Sequence, residues 1–266
     1  MKARILYLVL PLLGALGLGL LYAAQGPSIS HAVLTGVSVS AFAAAAIGSV
    51  LAATAFGKGD YLRGAWALMA LCYGLLLLDT AIFGAANGAV QRETSTFEAV
   101  TSGSLTLIAN VATVAALAWV ARAWRVAGLD LQVSRGAFIG AVVAAVVVSL
   151  ALVSRGLMND VTELLGGKLD ALQGVASSLG DVAATALLVP MLLTALSLRG
   201  GSLAWPWGLL TASTVLWLGV DAVDLISSAT GAQASSMLPL EEACRFGACL
   251  LQLTAGLAQR DAVTSA

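Results

Sequence analysis

The sequence predicts an all-α, polytopic membrane bundle of eight transmembrane helices, built from two parallel four-helix repeats. Apolar residues make up 59% of the 266-residue chain and charged residues only 10%, whereas roughly 25% charged residues is usual in a soluble domain. Several apolar runs reach or approach the ~20 residues needed to cross the hydrocarbon core of a bilayer. The sequence has no series of short alternating strands, which a membrane barrel would need, so a helical bundle follows.

An internal repeat indicates how the helices are arranged. The pattern basic-Gly-x-x-Leu-x-x-x-Trp occurs at residues 58–66 and again at 199–207. Each copy leads into an apolar run that ends in an aspartate, Asp79 in the first copy and Asp221 in the second. A matched spacing of this length is typical of a duplicated unit.

A second matched pattern, Glu-Ala-x-x-x-Gly-x-x-x-Leu, begins at Glu98 and at Glu242. We therefore predict one membrane domain with two halves, residues 1–130 and 131–266. Because each half would contain an even number of helices, the halves would share one orientation and be related by an axis along the membrane normal.

The first half contains four predicted helices, at about residues 5–21, 31–56, 64–87 and 97–121. The first of them follows Lys2 and Arg4, as the apolar core of a secretory signal also would. Its length and the membranous character of the rest of the chain favour an uncleaved helix over a cleaved signal.

The second half contains four more, at about residues 136–154, 179–198, 204–227 and 241–259. Before the second of these lies a less apolar segment, 156–178, in which Leu and Val recur at three- and four-residue steps. This periodicity predicts an outer amphipathic helix with a break at Gly166-Gly167, which either lies at the interface or lengthens the helix that follows.

The distribution of charge predicts that both termini are cytoplasmic. In this orientation the cytoplasmic side carries nine basic and three acidic residues, and the outer side four basic and eleven acidic residues. An excess of Lys and Arg on the cytoplasmic side is the rule for multi-pass proteins. We expect the bacterial inner membrane as the location and the lipid bilayer as the surroundings.

Acidic residues converge on the outer side of the predicted bundle. Asp79 lies 13 residues beyond Trp66, about 20 Å along a helix, which is within the outer half of the membrane core. An ionisable group at such a depth faces the bundle interior or a water-filled cavity by default. We therefore predict an acidic vestibule between the halves that opens outward. The candidate residues for binding a ligand or cation are Asp79, Asp221, Asp224, Glu98, Glu242 and Arg245.

These groups also have structural interpretations. The acids predicted near the outer starts of the fourth, sixth and eighth helices are Glu98, Asp181 and Glu241. At a helix start an acid stabilises the helix dipole by about 0.3–1 kcal/mol. For Asp79 and Asp221 the alternative is a buried tie between helices, for instance to Arg245 or to a hydroxyl of the fourth helix. Glu242 and Arg245, three residues apart, would form an ion pair.

Three carboxylates near one axis cannot all be neutralised by Arg245. We therefore expect at least one of Asp79, Asp221 and Asp224 to be protonated near neutral pH, or to share a proton or a bound cation.

Other polar and aromatic residues have simpler interpretations. Asn110 and Gln252 are expected to form hydrogen bonds between helices, and the three cysteines lack a CxxC pattern and read as buried thiols. An interfacial aromatic belt at the cytoplasmic ends is predicted for Trp66, Trp119, Trp124, Trp205 and Trp207. No nucleotide-binding, zinc-hydrolase or serine-hydrolase motif occurs, and His31 is the only histidine. We therefore expect no catalytic residue, cofactor, metal site or nucleic-acid partner.

One further series of motifs runs through the second half: Gly180-Asp181, Leu198 to Leu203, Pro206-Trp207, Leu216 to Leu218, Asp221 and Ala255 to Arg260. This series resembles the multi-helix membrane modules that precede kinase or cyclase domains in bacterial signalling proteins. The resemblance covers helices six to eight and, more faintly, two to four. It implies a module that senses a ligand or the state of the membrane. No output domain follows in the sequence, so a partner signalling or membrane protein would carry the output.

The function predicted from the sequence is therefore a non-enzymatic sensory or accessory module. Two alternatives stay open. The chain also resembles the eight-helix lysoplasmalogenase-type membrane hydrolases, which would imply that Asp79 and Asp221 act as the intramembrane aspartate pair. A carrier coupled to protons or cations would suit two repeated halves with acids at mid-depth. Against the carrier, no pair of helices carries the matched Gly/Pro interruptions of discontinuous transport helices.

Overall fold

The computed structural model describes residues 2–25, 31–84, 95–128, 133–169, 171–201, 203–230 and 234–265. In these ranges the chain forms eight α-helices: α1 (Lys2–Gln25), α2 (His31–Ala55), α3 (Tyr61–Phe83), α4 (Thr96–Val126), α5 (Arg135–Leu165), α6 (Ala171–Ser197), α7 (Ala204–Thr230) and α8 (Ala234–Thr264). The all-α class is confirmed.

Seven helices in the described part of the chain, α1 to α7, are long and apolar enough to cross a membrane. The protein is therefore a multi-pass membrane protein by the length and composition of its helices. The remaining helix, α8, has only 14 residues between Arg245 and Arg260, too few for an uninterrupted apolar span. It packs against α1, α2 and α7, so much of its surface faces protein.

Six of the helices form a closed ring. In the order α2, α3, α4, α6, α7, α8 each helix packs against the next, and α8 packs against α2. Within the described residues, no helix of this ring approaches the helix opposite it. α1 lies outside the ring against α8 and α7, and α5 lies outside it against α6 and α7. The ring therefore has an interior that only side chains can fill.

Small residues allow a close backbone contact between α2 and α8. A methyl group added to Gly48 would lie 2.5 Å from the Cα atom of Leu253, and one added to Gly256 would collide with the carbonyl oxygen of Gly48. Packing of backbone on backbone at Gly is a common way for membrane helices to associate. Beside this contact, the Gln252 amide donates a hydrogen bond of 3.0 Å to Ser49.

Two tryptophans fill one end of the ring. Trp66 and Trp207, near the starts of α3 and α7, are 1% and 4% exposed and belong to one apolar cluster with Met191 and Leu251. The predicted interfacial belt is wrong for these two residues, because their rings pack between helices. Trp119, 38% exposed, lies nearer the surface.

The boundaries of α5 and α6 correct the predicted amphipathic segment. The break at Gly166-Gly167 is confirmed: α5 ends at Leu165 and Gly167 has a φ of 88°, which favours Gly. The segment does not form one separate helix, since its first part lengthens α5 and its last part lengthens α6.

Two predicted helix starts are also wrong. Asp181 is the eleventh residue of α6, and Glu241 the eighth of α8, so neither can stabilise the positive end of a helix dipole. Glu98, in contrast, lies in the first turn of α4, where its backbone N–H donates to the N-cap Ser95.

Candidate ligand-binding cavity

The interior of the ring contains a cavity of about 620 Å³. Among the described residues all six ring helices contribute to its wall, and α1 and α5 contribute none. Met69, Leu117, Ala184 and Leu210 line the cavity and also belong to the cluster around the two buried tryptophans. That cluster therefore forms one end of the cavity.

Helical periodicity selects the lining residues. Those of α3 are Met69, Cys72, Tyr73, Leu76, Asp79 and Thr80, and those of α6 are Gln173, Gly174, Ser177, Asp181 and Ala184. Steps of three and four residues keep each set on one helix face. The cavity wall is thus a mixture of apolar and polar side chains.

Asp79 is the least solvent-exposed carboxylate on the described cavity wall, with 7% of its surface exposed. The hydroxyl of Ser102 on α4 donates a hydrogen bond of 3.1 Å to its Oδ2 atom. A hydroxyl of the fourth helix was one of the two partners expected for this aspartate. The Oδ1 atom is buried and has no hydrogen-bond partner among the described residues. Asp79 is therefore only half satisfied by the protein.

Two hydroxyl groups of the cavity wall also lack a hydrogen-bond partner among the described residues. Ser38 on α2 is 3% exposed and Thr106 on α4 is 6% exposed. Both line the cavity, and the described part of the chain offers neither hydroxyl oxygen a hydrogen-bond partner. Since buried polar groups are usually satisfied, such a cluster points to a solvent or ligand site.

Arg245 reaches the cavity while holding two acids of its own helix. Its guanidinium lies 2.5 Å from Glu242 Oε1 and 2.6 Å from Glu241 Oε1. The predicted pairing of Arg245 with Glu242 is confirmed. Glu242 is 2% exposed and does not line the cavity. The positive charge of Arg245 is therefore already compensated.

Aromatic side chains occupy the wall beyond these polar groups. Phe42 of α2 and Trp217 of α7 stack with their ring centroids 6.5 Å apart and an angle of 4° between their planes. Tyr73 of α3 lines the cavity and packs in the same apolar cluster.

Two amides join helices at the cavity wall, as predicted. Asn110 donates a hydrogen bond of 3.0 Å to the carbonyl oxygen of Ala176 and thereby connects α4 to α6. Gln252 connects α8 to Ser49 of α2 and lies 3.3 Å from the sulfur of Met69. Both line the cavity as well.

The structure brings together only part of the predicted acidic site. Asp79 and Arg245 line the cavity, whereas Asp221 and Glu98 do not. The side chain of Asp224 lies outside the described residues.

The sequence makes no prediction for Ser38 and Thr106, and it predicts Asp181 as an acid at a helix start and not as part of the cavity wall. The four-residue spacing of Gln173, Ser177 and Asp181 could have placed the last of these on an inward face of α6. The start predicted for that helix, near residue 179, is too late, because α6 begins at Ala171.

Comparison of the chain with protein-family models, curated proteins and solved structures finds no match.

Proposed function

We propose that the protein is an integral membrane sensory module, and that the ring cavity is the site where it binds a small ligand. The observation that carries this proposal is the set of buried polar atoms on the cavity wall, Ser38 Oγ, Asp79 Oδ1 and Thr106 Oγ1, for which the described residues provide no hydrogen-bond partner. The volume of about 620 Å³ is in the range of small-molecule sites.

A sensory role requires that the bound state of the cavity changes the packing of the helices around it. Six helices supply the wall, so a ligand would contact both halves of the chain at once. A partner signalling or membrane protein would then respond to a change in the separation of α4 and α6, or of α8 and α2. A ligand shifts the equilibrium between two arrangements of the helices only to the extent that it binds one of them more tightly than the other.

The finer architecture belongs to the same proposal. The ring order α2, α3, α4, α6, α7, α8 maps onto itself when the first three helices are exchanged with the last three, which supports two parallel repeats. Trp66 and Trp207 also occupy one cluster. The outer helices do not follow this relation, since α1 packs on α8 and α5 on α6.

We further propose that α8 is an eighth span, shielded by α1, and that both termini are cytoplasmic in a bacterial inner membrane. The charge distribution along the sequence supports this orientation. In it, the tryptophan cluster at the starts of α3 and α7 would close the cytoplasmic end of the cavity. The opening would then face outward, as expected for an acidic vestibule.

A proton- or cation-coupled carrier is the second candidate. One observation favours it: two carboxylates, Asp79 and Asp181, line the cavity. On α6, Gln173, Ser177 and Asp181 follow one another at four-residue steps and line the cavity from one face of the helix. Pro190 also interrupts the hydrogen-bond pattern of α6. A lysoplasmalogenase-like hydrolase stays a prediction. For that chemistry this cavity offers Asp79 and Asp181, not Asp79 and Asp221.

The test uses the purified full chain in lipid nanodiscs and a small-molecule extract of the host cells. Extract fractions should raise the unfolding temperature of the wild type but not of Leu218→Trp, in which a larger side chain fills the cavity. Val215→Trp is the matched control, because Val215 is on the same helix, is 51% exposed and does not line the cavity.

If no fraction distinguishes the two tryptophan variants, the ligand-binding role is wrong. Transport of an active fraction into liposomes that contain the protein would favour the carrier over the sensor.

A further inference from the structure

The buried oxygens of the cavity wall lie on three consecutive helices of the ring. Ser38 is on α2, Asp79 on α3 and Thr106 on α4. Thr106 is one helical turn beyond Ser102, whose hydroxyl holds the other carboxylate oxygen of Asp79, so the two α4 side chains share a face. Three consecutive helices therefore each contribute a buried oxygen to the wall of one cavity, and one of the three belongs to a carboxylate.

When Asp79 is ionised this set of oxygens carries a negative charge, and no basic group among the described residues forms an ion pair with it. The hydrogen bond that Asp79 accepts comes from a neutral hydroxyl. The guanidinium of Arg245, the one basic group on the described cavity wall, is shared by Glu241 and Glu242. A buried charge is normally paired, and here the partner would have to enter the cavity.

The apolar part of the wall begins one turn from these oxygens. Phe42 is four residues beyond Ser38 on α2, and its ring stacks on Trp217. Leu76 is three residues before Asp79 on α3 and also lines the cavity. The wall thus joins a polar layer to an aromatic and aliphatic layer.

We propose that the cavity binds a small primary amine, with its ammonium group at Asp79, Ser38 and Thr106 and its apolar body against Phe42 and Trp217. An ammonium group has three N–H donors and no acceptor, which matches three acceptor oxygens on three helices. The aromatic faces would add an attraction for the cation and bury the body of the ligand. This inference rests on the proposed function, because it names the chemical class of the ligand of the same cavity.

The experiment measures binding of three probes to the purified full chain in nanodiscs by calorimetry and by Trp fluorescence. The probes are 2-phenylethylamine, its neutral counterpart 2-phenylethanol, and the anion phenylacetate, each at up to millimolar concentration. The amine should bind at least about tenfold more tightly than the alcohol, as expected for charge-assisted hydrogen bonds. Phenylacetate should not bind.

Variants locate the site. Asp79→Asn should weaken amine binding by about tenfold or more, and Thr106→Val and Ser38→Ala should each weaken it severalfold. The matched controls are Asp60→Asn in the α2–α3 loop and Ser40→Ala on α2, which do not line the cavity and whose side chains hydrogen-bond locally. Both controls should bind the amine as the wild type does. If Asp79→Asn fails to fold, the comparison of Thr106→Val with Ser40→Ala decides.

Equal binding of amine and alcohol would overturn the proposal, as would amine binding that Thr106→Val and Ser38→Ala leave unchanged. Stabilisation by sodium or potassium ions that excludes the amine would show an inorganic cation site instead. These failures are distinct from failure of the proposed function. If the proposed function were wrong, no extract fraction would raise the unfolding temperature of Val215→Trp more than that of Leu218→Trp.

Discussion

Ser102 on α4 holds one carboxylate oxygen of Asp79 on α3 through a hydrogen bond of 3.1 Å, and its hydroxyl also lies 3.5 Å from the side-chain oxygen of Gln173 on α6. A hydroxyl has one hydrogen, and the shorter contact to the charged acceptor takes it. Three consecutive helices of the ring therefore meet at this hydroxyl, at the edge of the cavity. Asp79 is both a tie between helices and an acceptor that faces the ring interior.

Ser102→Ala should destabilise the protein by about 1–3 kcal/mol, because it removes the hydrogen bond of a buried carboxylate. The measurement is reversible unfolding in detergent, followed by helicity. Ser104→Ala is the control on the same helix, since that hydroxyl only bonds to the Val100 carbonyl one turn back, and it should change stability by less than about 0.5 kcal/mol. Equal losses in the two variants would mean that the contact to Asp79 contributes nothing.

Asp79→Asn and Asp221→Asn should have different effects. An amide retains the shape of Asp79 and can still accept from Ser102, so folding should be nearly preserved while binding in the cavity is lost. Asp221 does not line the cavity, so its Asn variant should bind as the wild type does. Both are measured by the thermal shift that an active fraction produces. Loss of binding in both variants would revive the aspartate pair predicted from the repeat.

Breaking the ion pair of Glu242 should cost far more than breaking an exposed one. Glu242→Gln should destabilise the protein by about 1.5–3 kcal/mol, because it weakens a buried charge-assisted hydrogen bond, while Glu241 still neutralises Arg245. Glu163→Gln removes the pair with Lys168, whose side chains are 48% and 62% exposed, and should cost less than about 1 kcal/mol. The two variants are compared by unfolding in detergent. Similar costs would show that the cluster around Arg245 is solvated.

Gly256→Ala should force α2 and α8 apart, because the new methyl group would meet the carbonyl oxygen of Gly48. We expect a loss of about 1–3 kcal/mol or more, as for other overpacked contacts. Gly36→Ala on α2 is the control, since a methyl group there meets nothing within 4 Å. It should be neutral or stabilising by up to about 1 kcal/mol. A tolerated Gly256→Ala would mean that this helix contact is not tight.

Reporter fusions test the orientation. Fusions at Ala127 and after Arg260 should report a cytoplasmic location, and a fusion near Gly231, which lies outside the described residues, an external one. The excess of basic residues on the predicted cytoplasmic side is the physical reason. An external signal at Ala127 would overturn both the helix count and the parallel repeat.

The sequence predicts the class of the fold well because apolar composition and run length control insertion in a bilayer directly. It predicts single helix boundaries less well. The acids and glycines between 156 and 178 make that segment look interfacial, whereas Asp160 packs against Gly174 across the α5–α6 pair. The sequence therefore predicts Asp181 at the start of a helix, whereas it lies on the cavity-facing side of α6.

The cavity could be predicted only in outline. The depth of Asp79 along its helix indicates an inward-facing carboxylate, and the same argument applies to Asp221. Which of them reaches the ring interior depends on how α3 and α7 are rotated about their axes. Long-range packing decides this rotation, for example the burial of Trp66 and Trp207 in one cluster. Ser38 and Thr106 gave no signal, because an isolated hydroxyl in an apolar helix usually bonds to its own backbone.

The most direct test of the central claim is an experimental structure of the full chain in lipid, determined with an active extract fraction. We predict non-protein density inside the six-helix ring, within hydrogen-bond distance of Asp79 and Thr106 and against the ring of Trp217. A collapsed ring interior, with Asp79 fully bonded to protein groups and no room for a ligand, would contradict the account.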